Sequence, residues 1–223
     1  MSISQYIDHT LLKSSATKSD IKLLCDEAKK YRFYSVCVNS FYVTLAKHLL
    51  LRSNVKVCAT IGFPLGAMSS ESKAFEATKA IEDGADEIDM VINIGMLRSK
   101  NYVSVYKDIC DVKLAIGKTP LKVILEISEL SKNEIIKACQ ICLDAKADFI
   151  KTSTGFSKSG ATLTAVKMIK KTVKNKAKIK ASGGIKDYET ALKYIDAGAD
   201  RIGTSSGIDI VTDKKVKTTK TDY

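Results

Sequence analysis

Three echoes in the chain place side chains capable of chemistry at matched positions. Gly84-Ala85-Asp86-Glu87-Ile88, Lys146-Ala147-Asp148-Phe149-Ile150 and Gly198-Ala199-Asp200-Arg201-Ile202 share an A-D-x-I entry, and three residues beyond each aspartate stand Asp89, Lys151 and Gly203. A second lysine lies in Lys178-Ile179-Lys180-Ala181-Ser182, where strand alternation turns Lys180 inward beside Lys151 if Ile179 packs outward. Two ammonium groups crowded in this way repel. The least costly relief is for one of them, which normally titrates near ~10.4, to become a neutral amine. A neutral amine attacks carbonyls, lysines activated by a second cation form Schiff bases, and a carboxylate such as Asp89 can shuttle protons directly or through water. This is carbon–carbon bond chemistry without a metal. The competing reading is a buried Asp–Lys pair that only holds the fold together, because an unpartnered buried charge is costly.

The elements that must position these residues alternate along the chain. Short apolar or β-branched runs occur at YIDHT near the start, SVCVN at 35–39, VKVCATIGF at 55–63, DEIDMVIN at 86–93, LKVILEI at 121–127, FIKTS at 149–153, KIKAS at 178–182 and RIGTS at 201–205. Between them, stretches such as KSDIKLLCDEAKKY and SKAFEATKAIEDG carry apolar residues at helical spacing, with Ser or Thr at the expected N-caps. Eight strand–helix units imply a parallel sheet with right-handed crossovers, closed as a single-domain (β/α)8 TIM barrel of the α/β class. Asp89, Lys151 and the Gly203 position fall on even strands and are expected at one interior level.

Two glycine-rich turns follow the seventh and eighth strands, Ser182-Gly183-Gly184-Ile185 and Gly203-Thr204-Ser205-Ser206-Gly207. Barrels of this type bind phosphate there, with glycine letting backbone N–H groups approach the oxygens. A third segment, Ser153-Thr154-Gly155-Phe156-Ser157, follows the lysine strand and could close over the same ligand. A metal is poorly supported, because His9 and His48 are the only histidines and neither lies in a ligand-spaced motif. His9 suits a polar role at the barrel top and a structural role equally well. Cys139-x-x-Cys142 lies inside a helical pattern, where core packing is a better reading than redox chemistry or zinc.

The charge balance is unusual. The 223 residues carry 36 Lys+Arg against 25 Asp+Glu, a formal net charge of +11, and residues 146–223 hold 17 of the cations and only 8 of the anions. Only four of the cations are arginines, the residue best suited to reading bases and phosphates bidentately. The lysine-rich stretch KMIKKTVKNKAKIK at 167–180 has Met168, Ile169 and Val173 at helical spacing and no aromatic residue, so it reads as a solvated crossover helix rather than a nucleic-acid site. No signal peptide or membrane span is visible, which predicts a cytoplasmic protein.

The segments YIDHTLLK, VCVNSFYV, IGFPLGA, DEIDMVINIG, FIKTSTGF, IKASGGI and GTSSG, taken in order from about Ile3 to Gly207, resemble the deoxyribose-phosphate aldolase family. The resemblance implies a class I aldolase with no cofactor, interconverting 2-deoxy-D-ribose 5-phosphate with D-glyceraldehyde 3-phosphate and acetaldehyde. It assigns Lys151 as the Schiff-base lysine, Lys180 as the neighbour that lowers its pKa, and Asp89 as proton donor and acceptor. It places phosphate contacts on Gly155, Gly183, Gly184, Gly203, Ser205 and Ser206, and pocket roles on Asp8, Cys37 and Asn39. It also implies a homodimer. Lys186 stands where the family commonly has Arg, which alters phosphate affinity without abolishing it. The implied route has Lys151 attack the C1 aldehyde, with loss of the C3 hydroxyl proton through a water held by Asp89 breaking the C3–C4 bond. Residues 1–212 form the barrel in this reading, and 213–223 form a polar tail whose Tyr223 is either a frayed terminus or an aid to proton transfer. The nearest rivals are other Schiff-base barrel enzymes, such as a transaldolase or a bisphosphate aldolase.

Overall fold

The computed structural model describes residues 2–217. Its elements alternate as β1 (Ile7–Leu11), α1 (Lys18–Tyr31), β2 (Ser35–Asn39), α2 (Val43–Leu49), β3 (Lys56–Ile61), α3 (Ser70–Glu82), β4 (Glu87–Val91), α4 (Ile94–Arg98), α5 (Tyr102–Ile116), β5 (Leu121–Ile124), α6 (Lys132–Asp144), β6 (Phe149–Lys151), α7 (Leu163–Val173), β7 (Lys178–Ser182), α8 (Tyr188–Asp196), β8 (Arg201–Thr204) and α9 (Gly207–Lys217). All eight strands are parallel and close into a barrel, with β1 paired to both β2 and β8. All eight strand candidates are present. Helix starts are capped as their residue types predict, with reciprocal capping boxes at Thr17/Asp20 and Ser131/Glu134 and single caps from Ser69 and Thr162.

Helix α9 carries the chain to Lys217, five residues past the Thr212 boundary drawn from sequence, and Tyr223 lies outside the described residues. Strand β5 stops at Ile124, three residues earlier than its apolar run suggests, because Glu126 adopts left-handed backbone (φ 55°) and turns the chain. Hydrogen bonding continues past both strand ends, from Leu125 N to Lys151 O and from Thr152 N to Lys180 O. None of the described helices is long and apolar enough to cross a membrane.

Two layers follow from strand alternation. Ile88, Val123, Ile150, Ile179 and Ile202 point outward and pack with Ile109, Val112, Ala138, Val166 and Ile169 of the helices into one continuous core. Cys139 and Cys142 are fully buried in that core, and burial pushes the Cys139 thiol up to about 12, so the C-x-x-C is packing. Inward positions carry charge instead.

The repeated A-D-x-I motif has a mechanical explanation. Asp86, Asp148 and Asp200 each donate their backbone N–H to, and accept at Oδ2 from the N–H of, one residue on the preceding strand: Val57, Leu121 and Ile179 respectively. Each aspartate thus pins the entry of its own strand to its neighbour. In the second echo Lys146 takes the positive φ (58°) that Gly84 and Gly198 supply in the other two. Replacing Asp200 by Ala should lower stability by about 1–2 kcal/mol, because the Ile179 N–H loses its acceptor. Asn, which retains an acceptor oxygen, should cost less. Urea unfolding of D200A and D200N checks this, and equal midpoints for D200A and the parent chain would show that the clamp contributes nothing.

Candidate active site

Asp89 lies fully buried at the centre of the barrel. Its Oδ2 accepts from Lys151 Nζ and from Lys180 Nζ, both at 2.8 Å, and its Oδ1 accepts from Lys122 Nζ at 2.8 Å. Register places these groups together: Lys151 pairs with Lys180 across β6 and β7, and Asp89 pairs with Lys122 across β4 and β5. The contacts continue downward. Lys180 Nζ lies 2.6 Å from Asp8 Oδ2, Asp8 Oδ1 accepts from Arg201 at 2.7 Å, Arg201 donates to Glu87 at 2.8 Å, and Lys122 lies 2.7 Å from Glu87 Oε2. The Arg201 guanidinium also stacks 3.1 Å over the Tyr34 ring.

Asp89 bridges Lys180 to Lys151, so the two ammonium positions share one carboxylate oxygen. Burial disfavours the charge on Lys180, but Asp8 and Asp89 outweigh burial and hold the Lys180 pKa well above its ordinary value. Lys122 is raised in the same way, by Asp89, Cys58 and Glu87. Burial raises the Asp89 carboxyl, but Lys122, Lys151 and Lys180 hold it far below the usual range. Burial likewise opposes ionisation of Asp8, which Lys180 and Arg201 overcome. Asp8, Glu87 and Asp89 therefore face Lys122, Lys151, Lys180 and Arg201 inside the barrel, and of these only Lys151 reaches the cavity.

The sequence reading brought Asp89, Lys151 and Lys180 together correctly but misplaced Asp8, which is a fully buried partner of Lys180 and Arg201 rather than a pocket wall. Cys37 is buried beneath the pocket, with its Sγ 3.9 Å from Asp89 Oδ2. The neighbouring Cys58 thiol draws Cys37 down to about 7 against the opposing effect of burial. Asn39 holds the Leu12 carbonyl from the end of β2. Cys37, Cys58 and Asp89 present donor atoms within 4.8 Å of one another, as a metal site would. Lys122 Nζ, however, already donates to both Cys58 Sγ and Asp89 Oδ1, so the donor set is built around an ammonium. His9 proves structural: it is buried, bonded to Glu27 at 2.7 Å and packed on Phe33. Lys122, Glu87, Cys58 and Arg201 were missed, although Lys122 occupies an inward position of LKVILEI and alternation alone could have flagged it.

Above the network, a cavity of about 280 Å³ opens at the C-terminal ends of the strands. Lys151, Gly155, Gly183, Gly184, Gly203 and Ser205 line it, as the resemblance implied, together with Lys13 and Lys186. Ser206 stands beside it without lining it, and its N–H donates to Thr204 Oγ1. Gly155, Gly183 and Gly184 all have positive φ, and a Cβ at Gly155 or Gly184 would meet nothing within 4 Å, so those turns face open space. Gly203 differs: a Cβ there would lie 3.0 Å from Lys180 Cε and 2.9 Å from Ser182 Cβ, so its missing side chain makes room for the lysine.

A family model described as DeoC/LacD family aldolase matches residues 2–213. The chain belongs to this aldolase family. A deoxyribose-phosphate aldolase of Finegoldia magna is 59% identical over 211 residues, covering 95% of this chain and 99% of that protein. Another from Caldicellulosiruptor saccharolyticus is 58% identical over 214 residues, covering 95% and 97%. Among solved structures, the tetrameric deoxyribose phosphate aldolase of Aeropyrum pernix superposes with a TM-score of 0.89 at 34% identity, covering 96% of this chain and 91% of that one. The barrel is thus that of a DeoC/LacD family aldolase.

The pKa directions set the sign of a pH dependence in this aldolase. Asp8 and Asp89 lie below their ordinary values when folded, so their contribution to stability is complete above about pH 4 and is lost as pH falls further. Lys122 and Lys180 lie above theirs, so their contribution is present below about pH 10.4 and is lost as pH rises through the folded values. Asp8→Asn should cost about 3 kcal/mol at pH 7, because it uncovers Lys180 and Arg201, and should flatten the acid limb. Urea unfolding between pH 7 and 3 measures both. An unaltered acid limb in D8N would remove Asp8 from this role.

Proposed function

We propose that the protein cleaves 2-deoxy-D-ribose 5-phosphate reversibly to D-glyceraldehyde 3-phosphate and acetaldehyde, with Lys151 as the Schiff-base lysine. One observation carries the reading: of the four cations in the buried network, only Lys151 lines the cavity rimmed by the glycine turns. Relatives named deoxyribose-phosphate aldolase at up to 59% identity support the choice of substrate over those of other Schiff-base aldolases.

Attack on an aldehyde requires an uncharged amine. Lys122, Lys180 and Arg201 are each paired to a carboxylate away from the cavity, which leaves Lys151 as the amine of the network that meets an aldehyde there. Lys151 Nζ adds to C1 of the open-chain sugar, and the carbinolamine loses water to give an iminium. Removing the C3 hydroxyl proton then drives the C2–C3 electron pair into the iminium, giving the enamine of acetaldehyde and the aldehyde of glyceraldehyde 3-phosphate. The C3–C4 cleavage in the sequence reading is incorrect, since it would leave a three-carbon fragment on the lysine and not acetaldehyde. Protonation at C2 and hydrolysis release acetaldehyde and restore Lys151. Asp89, bonded to both Lys151 and Lys180, is the group through which protons pass, by way of water admitted from the cavity. The glycine turns and Ser205, with Lys13 and Lys186 alongside, hold the phosphate and so position C1 over Lys151.

Borohydride reduction in the presence of acetaldehyde, followed by peptide mass mapping, tests the assignment. A reduced two-carbon adduct on Lys151 is expected, and Lys151→Ala should lower turnover by at least about 10³-fold. An adduct confined to Lys180, or full activity in K151A, would overturn it. Self-association as a homodimer is part of the proposal, supported by Phe41 (81% exposed) and Phe75 (74% exposed) on chain segments that touch. Sedimentation equilibrium should give twice the chain mass, and Phe75→Glu should shift it toward the monomer. A parent chain that stays monomeric would remove this part.

A further inference from the structure

One buried carboxyl stands apart from the ion network. Glu126, just beyond β5, is 3% exposed and holds left-handed backbone at φ 55°, a conformation that costs a non-glycine residue about 1 kcal/mol or more. Its Oε2 accepts from the Thr154 backbone N–H at 3.3 Å and from the Thr154 hydroxyl, while its buried Oε1 has no hydrogen-bond partner among the described residues. Burial pushes this carboxyl up, and the bonds from Thr154 pull it partly back.

The bridge does not end at Thr154. Its Oγ1 accepts in turn from the Phe156 N–H at 3.0 Å, so Thr154 directly, and Phe156 through it, are tied to one carboxyl beyond the end of β5. Gly155, at φ 86°, lines the cavity with nothing crowding its α-carbon. The same segment is laced on its other side to β7, where Ser182 Oγ donates to Ser153 O at 2.5 Å and Thr152 Oγ1 donates to Ser182 O at 3.1 Å. Gly183 and Gly184 follow directly and line the cavity too. A strained, buried acid that spends its hydrogen bonds on a cavity-lining turn is poorly explained by packing alone.

We infer that Glu126 is a positioning residue for the substrate phosphate: acting through Thr154, it sets the Thr154–Phe156 turn so that Gly155 meets the anionic end of the sugar. The inference rests on the sugar-phosphate reading of the cavity. Glu126 touches no reacting atom, so its effect is felt by the phosphorylated substrate more than by its unphosphorylated analogue.

The test compares the parent enzyme with Glu126→Ala, Glu126→Gln and Thr154→Val on 2-deoxyribose 5-phosphate and on 2-deoxyribose. E126A and T154V should raise KM for the phosphate ester about tenfold or more, and lower the ratio of the two kcat/KM values by a similar factor. E126Q keeps an oxygen acceptor toward Thr154 and should retain most of the preference. Inhibition by inorganic phosphate gives a second readout, weakening about tenfold in the same two variants. If E126A fails to fold, T154V and the phosphate inhibition decide. An equal fall on both sugars, or an unchanged ratio in T154V, overturns the inference. A parent enzyme with no preference for the phosphate ester overturns the underlying reading instead.

Discussion

The barrel interior is organised by the need to keep four cations and three carboxylates out of water with every charge facing an opposite one. In a low-dielectric space a lone ion costs several kcal/mol, so no member of the set can be altered alone. Asp89 bears most of this burden, because it accepts from three lysines on three different strands. Asp8 and Glu87 settle what remains of Lys180, Lys122 and Arg201. Of the four, Lys151 alone opens onto the cavity, so it is the one amine of the network that a molecule in the cavity can reach.

This division also separates rigid parts of the protein from adaptable ones. The charges sit on strands whose entries are clamped by Asp86, Asp148 and Asp200 and whose outer faces pack into one core. The glycine turns that line the cavity lie beyond the strand ends, where the backbone takes positive φ and hydrogen bonds pass between loops. The buried charges are held by strands and the cavity rim by turns. Glu126 joins the two, because it ends β5 and anchors the turn after β6.

Much of this was legible in the sequence. Eight apolar runs separated by helical spacing specify a barrel, and the recurrence of A-D-x-I places Asp89 and Lys151 at one level. What could not be read was pairing across strands. Asp8 is the second residue of β1, where a pocket role and a buried role leave the same trace in the sequence, and only its hydrogen bond from Arg201 shows which neighbour it meets. Lys122 was lost in an apolar strand pattern because one inward lysine resembles the solvated lysines that dominate the composition. The repulsion expected between Lys151 and Lys180 was real in origin, but a carboxylate bridges it, and bridging geometry is a three-dimensional fact.

The aspartate clamps carry a consequence for how this enzyme can fail. Side chains alternate between barrel interior and helix layer, so a strand displaced by one residue would send Lys151 or Asp89 into the apolar layer and bring isoleucines into the charged one. No intermediate register exists. Errors in assembly are therefore discrete: a molecule either closes with its charges matched or presents an interior that can neither pair its ions nor bind an aldehyde. A population weakened at the clamps would be a mixture of fully competent and inert molecules, and its loss of activity would be a loss of active sites rather than of rate per site.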